Sequence, residues 1–320
     1  MVTHPPRQPT LLVLVGPTAV GKTAVAVQLA RQIAMEVVSA DSRQVYRGMD
    51  VGTGKPTASE RAAVPHHLLD VVDPDQRYHA ARFRADALAA LAAIHGRGRL
   101  PVVVGGTGLY VRALVKGLAP APPADAALRR ALEDFADARG APALHARLAA
   151  AAPEAARRLH PNDRVRIVRA LEIHTLRAGV PVESGEGSWA ATPSPWRLVM
   201  IGLTRDRTRL NAAIAERART MHARGMMEEV RRLLEAGYDP GRPPMDGIGY
   251  RSLALAVQGR MAADEALRLM IRDTTRYAKR QMTWFARDPE IRWIDVDGAG
   301  GVEGAAEAVL KHITREGLVE

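Results

Sequence analysis

The stretch GPTAVGKT, residues 16–23, combines glycines, a lysine and a hydroxyl residue at the spacing of a phosphate-binding loop. It matches the pattern G-x-x-x-x-G-K-[ST], with an apolar run before it and a helical stretch after it. In such a loop the backbone N–H groups and the helix N-terminus hold an anion. Lys22 adds a full positive charge, and the Thr23 hydroxyl can ligate Mg²⁺. The sequence therefore predicts a diphosphate site at Gly16, Thr18, Gly21, Lys22 and Thr23, with Mg²⁺ bound at Thr23.

The same loop occurs in enzymes that cleave ATP, but the sequence shows little of the remaining cleavage apparatus. A kinase or ATPase needs a second magnesium anchor, commonly an Asp at the end of another apolar strand. The run at 101–104 ends instead in Gly-Gly-Thr, and Asp70 and Asp73 are less suitably placed. The site is better suited to a diphosphate that departs as a leaving group, because the loop, Lys22 and magnesium would stabilise its charge. A small-molecule kinase or ATPase and a non-catalytic RNA-binding protein remain the alternatives.

Three further residues stand where a ligand of the loop would meet them. Asp41 and Thr107 follow two other apolar runs, and ligands of parallel α/β sheets bind at the carboxyl ends of strands. Asp41 is a candidate general base, with a turn or helix-capping role as the alternative. Thr107 can cap the helix after it, although the neighbouring glycines indicate close approach to another group. Arg217 lies on an apolar helix stripe, which predicts a salt bridge to a buried carboxylate or contact with an anionic ligand.

The composition limits the classes of protein to consider. The chain has 320 residues, of which 47% are hydrophobic and 25% charged, as in ordinary globular proteins. The absence of cysteine excludes disulfides, a thiol nucleophile and thiolate-bound zinc. No apolar run approaches the ~20 residues of a membrane span, and residues 1–10 lack the apolar segment of a secretory signal. We therefore expect a cytoplasmic protein, and the net charge of +10 favours a polyanionic partner.

Two groups of basic residues suit a nucleic-acid backbone. The first group, which we call the basic stripe, shares one face of the helical stretch 264–287 and consists of Arg268, Arg272, Arg276, Lys279 and Arg280. Asp273 is the only acid in that stretch after Glu265, whereas a solvated face normally mixes both charges. The second group lies in DRVRIVR at 163–169. Together they favour an RNA or DNA partner.

The elements that must position these residues alternate between strand and helix in the first and last parts of the chain. Apolar runs predict buried parallel strands at 11–15, 37–38, 67–72, 101–104, 196–203 and 291–296. The helical period predicts helices at 21–34, 80–95, 206–236, 248–258, 264–287 and 303–316. Helical sequence without strands runs over 124–178, and a polar segment at 179–195 follows it. The predicted fold is a P-loop NTPase-like α/β core at 1–119 and 196–320, with a parallel sheet, helices on both faces and an inserted helical domain at 120–195.

Taken together, the motifs resemble those of the bacterial tRNA dimethylallyltransferases, or tRNA isopentenyltransferases. The matching segments are GPTAVGKT (16–23), SADSRQVYRGMDVGTGKP (39–56), HHLLDVVDP (66–74), VVGGTGLYV (103–111), HPNDRVRIVRALE (160–172), GIGYR (247–251) and AKRQMTWFAR (278–287). The resemblance implies transfer of a dimethylallyl group from dimethylallyl diphosphate to N6 of the adenosine 3′-adjacent to the anticodon, with Mg²⁺ as cofactor. It also implies the tRNA anticodon stem-loop as partner, no membrane association and a monomer. Arg43 and His79 depart from the family pattern, in which an uncharged residue and a serine are usual.

The resemblance also implies roles for particular residues. Asp41 resembles the general base, Thr107 a partner of the diphosphate or of Asp41, and Arg217 the arginine that binds diphosphate. The target adenosine would have to be flipped out of the anticodon loop to reach them. The residues that match tRNA contacts are Asp41, Ser42, Arg43, Gln44, Thr107, Arg129, Val165, Arg166, Ile167, Val168, Arg169, Gly249, Tyr250, Arg251, Lys279, Arg280, Gln281 and Trp284.

Overall fold

A computed structural model of the chain describes residues 8–118, 121–177 and 194–319. The strands are β1 (Thr10–Val15), β2 (Met35–Ser39), β3 (His66–His67), β4 (Leu100–Gly105), β5 (Arg197–Thr204) and β6 (Ile291–Asp295). The helices of the described residues are α1 (Lys22–Ala30), α2 (Ala58–Ala63), α3 (Ala80–Gly96), α4 (Gly108–Lys116), α5 (Ala126–Ala151), α6 (Pro153–Arg158), α7 (Arg164–Leu176), α8 (Arg207–Ala223), α9 (Met226–Glu235), α10 (Tyr250–Val257), α11 (Ala263–Phe285) and α12 (Gly301–Arg315).

The six strands form one parallel sheet in the order β3-β2-β4-β1-β5-β6. Leu12 of the central β1 pairs with Val102 of β4 on one side and with Val199 of β5 on the other. Leu11 packs into a core cluster with α3 and α4, whereas Leu12 packs into a second cluster with α1 and α12. Helices therefore cover both faces, which explains why the strands are apolar throughout. The predicted α/β fold with a parallel sheet is confirmed.

The sheet brings the chemically interesting residues to one edge. Gly16 follows β1 directly, Asp41 lies two residues after β2, and Thr107 lies two residues after β4. Because β2, β4 and β1 are neighbours and run parallel, their carboxyl ends meet at the same edge. The sequence prediction that these three positions converge depends only on this topology.

The predicted strand at 67–72 is wrong over most of its length, because only His66 and His67 pair with β2. Leu68 (φ 62°) and Asp70 (φ 55°) adopt left-handed backbone conformations, which end the strand. The Asp70 carboxylate there accepts a hydrogen bond from the Lys55 ammonium. The turn therefore supplies the buried Lys55 with one of its two carboxylate partners, the other being Asp50.

Two helix predictions also need correction. The stretch 206–236 forms two helices, α8 and α9, because Gly225 interrupts it with φ 91°. The stretch 21–34 forms a helix only as far as Ala30. His79, the departure noted above, caps α3 by accepting the backbone N–H of Arg82 on Nδ1 at 3.2 Å. Serine is also a good N-cap residue, so the departure from serine to His79 leaves the start of α3 capped.

The chain divides into two compact units, Met1–Val115 with Pro193–Glu320, and Lys116–Thr192. In the second unit α5, α6 and α7 pack around a small core that includes Leu132, Leu148 and Ile167. The polar segment predicted at 179–195 falls mostly outside the described residues, which resume at 194. The RNA-binding role assigned to this insertion remains a prediction. Over the three described ranges, none of the helices combines the length and apolarity that a bilayer crossing requires.

Candidate active site

The phosphate loop begins where β1 ends and has a backbone that needs glycine. Gly16 (φ 143°) and Gly21 (φ 107°) are both left-handed, and a Cβ atom on Gly16 would lie 2.5 Å from the Leu203 carbonyl oxygen. The Lys22 ammonium folds back into the loop and donates to the carbonyl oxygens of Gly16 at 2.9 Å and Pro17 at 2.8 Å. The loop therefore holds its lysine among backbone oxygens, and no carboxylate of the described residues pairs with it.

Burial and a second cation both act on Lys22. The pKa of Lys22 falls to about 7, mainly because of burial and then because of the positive charge of Arg217, while the negative charge of Asp41 opposes the shift. A diphosphate bound in the loop would supply the missing negative charge and favour the protonated form. The loop is therefore an anion site whose cation is only partly charged near neutral pH.

Arg217 lies on α8 and faces the same cavity as Lys22. The salt bridge predicted as its structural alternative is not present among the described residues. Burial lowers the pKa of Arg217, whereas the charges of Asp41 and Glu60 act to raise it. A half-buried guanidinium without an ion pair among the described residues is costly, so its placement next to the loop favours contact with an anionic ligand.

Asp41 takes the turn role that was its alternative reading and keeps one oxygen free for chemistry. Its Oδ1 accepts the backbone N–H of Arg43 at 2.8 Å and of Gln44 at 3.3 Å. Oδ2 makes no hydrogen bond within the described residues, and the side chain lines the cavity. The turn orients the carboxylate, and the second oxygen remains available as a proton acceptor.

Among the described residues, no hydrogen bond joins the Thr107 side chain to α4. Its Oγ1 instead accepts the backbone N–H of Ser42 at 3.0 Å, which ties the turn after β2 to the loop after β4. The close approach predicted from the glycines is confirmed, since Cβ atoms on Gly105, Gly106 and Gly108 would overlap their surroundings. The groups they approach are the Ala40 backbone, the Gln281 amide and the Trp284 ring.

Two residues of α11 complete the site: Gln281, which the resemblance gave as a tRNA contact, and Tyr277, which the sequence did not assign to the site. Gln281 is buried and bridges two loops: Nε2 donates to the Gly106 carbonyl at 2.9 Å, and Oε1 accepts the Thr18 N–H at 2.8 Å. Tyr277 lies beside Thr107 and Asp41, and burial followed by the charge of Asp41 raises its pKa to about 12. Both are polar residues on the inward side of a helix, which is the signal that could have revealed them.

Two cavities, of about 870 Å³ and about 340 Å³, open around these residues. Lys22 and the loop line the larger cavity, whereas Ile214, Ile248 and Met270 contribute apolar walls to the smaller one. The residues that line both cavities are Thr18, Ala19, Asp41, Thr53, Arg217, Met221 and Tyr277. The cavity of the phosphate loop and a cavity with apolar residues in its lining thus share one wall, so a ligand that combines a diphosphate with a short hydrocarbon could occupy both.

The predicted RNA contacts of the core unit differ widely in exposure. Arg251, Lys279 and Arg280 are exposed, and Trp284 is partly exposed. Tyr250 is buried and donates its hydroxyl to Glu229 at 2.6 Å. The remaining predicted contacts serve the local backbone: Ser42 binds Thr107, Arg43 donates to the Pro244 carbonyl, Gln44 donates to the Thr53 and Gly54 carbonyls, and Gly249 adopts φ 85° at the start of α10.

The basic stripe is exposed along α11, but its members are not equivalent. Arg272 and Arg276 both pair with Asp273, at 2.8 Å and 3.6 Å. Arg268 and Lys279 have no ion pair among the described residues. The stripe therefore contains cations that are already neutralised and cations that are free to meet phosphate.

In the insertion unit the predicted contacts at 165–169 also divide into two kinds. Val165 (80% exposed) and Arg166 face solvent, whereas Ile167 and Val168 are buried in the core of the unit. Arg169 pairs with the buried Glu172 at 2.5 Å, and Arg129 pairs with the same carboxylate at 2.6 Å. Of this segment, the side chains of Val165 and Arg166 are therefore the ones accessible to a partner.

A parallel sheet with a phosphate loop at the end of its central strand defines a P-loop protein of the α/β class. The IPP transferase family model matches residues 44–288, and the isopentenyl transferase model matches residues 9–71. The tRNA dimethylallyltransferase of Geobacter metallireducens is 49% identical and covers 90% of this chain and 93% of the relative. That of Desulforudis audaxviator is 46% identical over 96% of this chain and 99% of the relative. The chain belongs to the IPP transferase family, among the bacterial tRNA dimethylallyltransferases.

Solved structures agree with this assignment. The full-length tRNA isopentenylpyrophosphate transferase of Bacillus halodurans has a TM-score of 0.70 at 39% identity, covering 96% of this chain and 98% of that protein. A eukaryotic dimethylallyltransferase acting on tRNA has a TM-score of 0.75 at 27% identity, covering 89% of this chain and 74% of that protein. The likeness therefore extends over nearly the whole chain.

Proposed function

We propose that this protein transfers the dimethylallyl group of dimethylallyl diphosphate to N6 of the adenosine 3′-adjacent to the anticodon of tRNA. The observation that supports this most directly is the wall shared by the two cavities. Asp41, Arg217 and Met221 lie on that wall and line both cavities, whereas Lys22 lines only the larger cavity and Ile248 and Met270 line only the smaller one. A diphosphate, a short hydrocarbon and a proton acceptor can meet there.

In the proposed reaction the N6 amine attacks C1 of the donor. The N6–C1 bond forms, the C1–O bond breaks, and the bonding electrons leave with the diphosphate. Lys22, Arg217 and the loop N–H groups stabilise the charge on the departing diphosphate. Oδ2 of Asp41 accepts the proton that N6 loses. The adenine must leave its stack to enter the cavity, as in other enzymes that modify bases.

The residues present are compatible with Mg²⁺ bound mainly by the donor. The Thr23 hydroxyl lines the larger cavity and makes no hydrogen bond within the described residues. Those residues contain no cluster of three or more acidic or histidine side chains that could hold a metal by itself. Magnesium tolerates this, because it keeps several waters and takes ligands from substrate phosphates. Bound at Thr23, it would neutralise charge on the diphosphate.

We further propose that exposed cations of each unit bind the phosphates of the tRNA anticodon stem-loop. Arg268 and Lys279 are the candidates on α11, and Arg166 is the candidate on α7. Phosphate contacts of this kind fix the register of the RNA, whereas the target base is recognised in the cavity. A monomeric state and a cytoplasmic location belong to the same proposal.

The decisive experiment incubates the protein with unmodified tRNA, Mg²⁺ and dimethylallyl diphosphate. We expect mass spectrometry of the digested tRNA to show one dimethylallyl group on the adenosine 3′ to the anticodon, without added ATP. Controls omit the donor or replace it with ATP. ATP-dependent transfer, or ATP hydrolysis without RNA, would favour the kinase alternative, and failure to modify tRNA would favour a binding protein.

A further inference from the structure

Glu229 of α9 is a buried carboxylate that has no cationic partner among the described residues. It is 1% exposed. Its Oε2 accepts the backbone N–H groups of Asp50 at 2.8 Å and Val51 at 2.7 Å. Its Oε1 accepts the backbone N–H of Gly52 at 3.0 Å and the hydroxyl of Tyr250 at 2.6 Å. Four donors, three of them consecutive backbone groups, thus converge on one side chain.

This placement is unusual for a helix of this kind. The buried side of α9 otherwise consists of Met226, Val230 and Leu233, whereas the adjacent Glu228 is exposed and pairs with Arg231. Burying a charge is costly unless hydrogen bonds compensate it, and here neutral donors alone do so. The negative charge also acts on its donor, since burial and then Glu229 raise the pKa of Tyr250.

The segment that Glu229 holds is the loop at 49–55, which we call the anchored loop. Its other end is fixed by Lys55, whose buried ammonium donates to the Tyr46 carbonyl at 2.6 Å, to Asp50 Oδ1 at 2.6 Å and to the Asp70 carboxylate. Both ends of the loop are therefore tied by charged groups, although no strand or helix forms there. Such cost suggests that the position of the loop matters for function.

The anchored loop touches the diphosphate arginine. Gly54 (φ 60°) lies so close to Arg217 that a Cβ atom would overlap the guanidinium. The Gly54 carbonyl is fixed in turn by the Gln44 amide at 3.1 Å. Thr53, its neighbour, lines both cavities. Because Arg217 has no ion pair within the described residues, the loop backbone is the structure against which its guanidinium rests.

We propose that Glu229 is a positioning residue for the donor diphosphate, acting through the anchored loop on Arg217. The inference rests on the proposed function, because it takes the ligand of Arg217 to be the diphosphate of the prenyl donor. Glu229 itself does not touch that ligand. Its carboxylate accepts three backbone N–H groups and so holds the anchored loop in place. Gly54 of that loop then keeps the Arg217 guanidinium next to the phosphate loop.

The test compares Glu229→Gln with the matched control Glu228→Gln, one residue away on the exposed side of the same helix. Gln keeps the size of the side chain, but its NH₂ group cannot accept the loop N–H groups. We expect Glu229→Gln to raise the donor KM about ten- to hundredfold, the range for lost hydrogen bonds to a charged group, with a smaller change in kcat. The tRNA Kd should stay unchanged, and Glu228→Gln should match wild type.

A double variant separates positioning from general damage. If Glu229 acts through Arg217, the donor KM of Glu229→Gln/Arg217→Lys should rise by less than the product of the two single effects. A purely structural role predicts a lower melting temperature, an unchanged donor KM for the folded fraction, and multiplicative effects in the double variant. That pattern would overturn the proposal.

Tyr250→Phe keeps the test valid if Glu229→Gln fails to fold. It removes one of the four donors and leaves the three backbone groups in place, so we expect a donor KM about two- to fivefold higher with little change in melting temperature. An unchanged donor KM would contradict the proposal. Absence of prenyl transfer by the wild type would instead refute the proposed function, so the two failures are distinguishable.

Discussion

The core of the insertion and the cavity of the candidate active site treat their charged residues in opposite ways. In the insertion, the fully buried Glu172 is met by Arg129 at 2.6 Å, by Arg169 at 2.5 Å and by the backbone N–H of Asp125 at 2.9 Å. In the cavity of the active site, Lys22 and Arg217 lie together, and neither forms an ion pair with a carboxylate among the described residues. Paired charges of the first kind specify a packing arrangement, whereas charges of the second kind leave room for an anionic ligand as their partner.

The pKa shifts follow the same division. Burial acts to raise the pKa of Glu172, but hydrogen bonds from Arg169 and Arg129 outweigh it and leave the pKa below its usual value. For Lys22 the largest effect, burial, is not outweighed, and its pKa falls to about 7. An uncompensated shift of this kind indicates a functional site more reliably than the presence of a charged residue alone.

The largest expected effect concerns Asp41, whose charge acts on Lys22 and on Arg217. Asp41→Asn keeps an oxygen for the turn at Arg43 and Gln44 but cannot accept a proton at neutral pH. We expect the single-turnover rate of prenyl transfer to fall by roughly 10²–10⁴, the usual range for a lost general base. Donor and tRNA affinities, measured separately, should change far less. A rate within a few-fold of wild type would reduce Asp41 to its turn role.

The second prediction contrasts one residue from each unit. Arg217→Gln should weaken donor binding by about ten- to hundredfold, because the guanidinium that meets the diphosphate is lost. The free energy of unfolding should stay unchanged or rise, because the variant removes an unpaired, half-buried cation. Glu172→Gln should lower the free energy of unfolding by about 1–3 kcal/mol and leave donor binding unchanged. Urea unfolding and donor titration of both variants would check this. A destabilised Arg217→Gln protein with normal donor affinity would break the comparison.

The third prediction is a pH dependence that only the unpaired site should show. As the pH rises through about 7, Lys22 in the free protein loses its proton, so the donor Kd should increase by up to about tenfold per pH unit. Lys22→Arg stays charged over this range and should give a flatter profile. Removing the Arg217 charge should move the midpoint of the pH dependence of the donor Kd to higher pH, since that charge lowers the Lys22 pKa. If the donor Kd depended on pH equally in wild type and Lys22→Arg, the pH dependence would come from titration of the donor and not of Lys22.

The smallest expected effect applies the same contrast to the basic stripe. Arg268→Gln and Lys279→Gln should each reduce the slope of log tRNA affinity against log salt by about one, because each removes a cation without an ion pair among the described residues. Arg272→Gln should reduce it less, since Arg272 already pairs with Asp273 at 2.8 Å. Donor binding serves as the control and should not change. Equal slopes in all four proteins would remove this face of α11 from the RNA interface.

Local sequence rules were sufficient for much of the fold. Apolar runs located five of the strands, and the phosphate loop could be recognised because Gly16 and Gly21 need left-handed backbone. The same rules wrongly predicted a strand at 67–72. There Asp70 adopts a left-handed backbone conformation and accepts a hydrogen bond from the Lys55 ammonium. They also joined α8 to α9, since a helical period alone does not weigh one glycine strongly enough.

The parallel sheet, the phosphate loop and the edge at which Asp41 and Thr107 lie follow from the order of amino acids alone, because short-range periodicity and strand ends decide these features. Which charges have partners depends instead on how distant segments pack. Gln281 meets Gly106 across 175 positions of the chain, and Glu229 meets Val51 across 178. The sequence pattern of an arginine on an apolar stripe is the same whether or not a carboxylate lies opposite it in the folded chain. For Arg217, the packing of distant segments places no carboxylate of the described residues within ion-pair distance. An unpaired, half-buried charge is costly, and this cost indicates that Arg217 belongs to a ligand site.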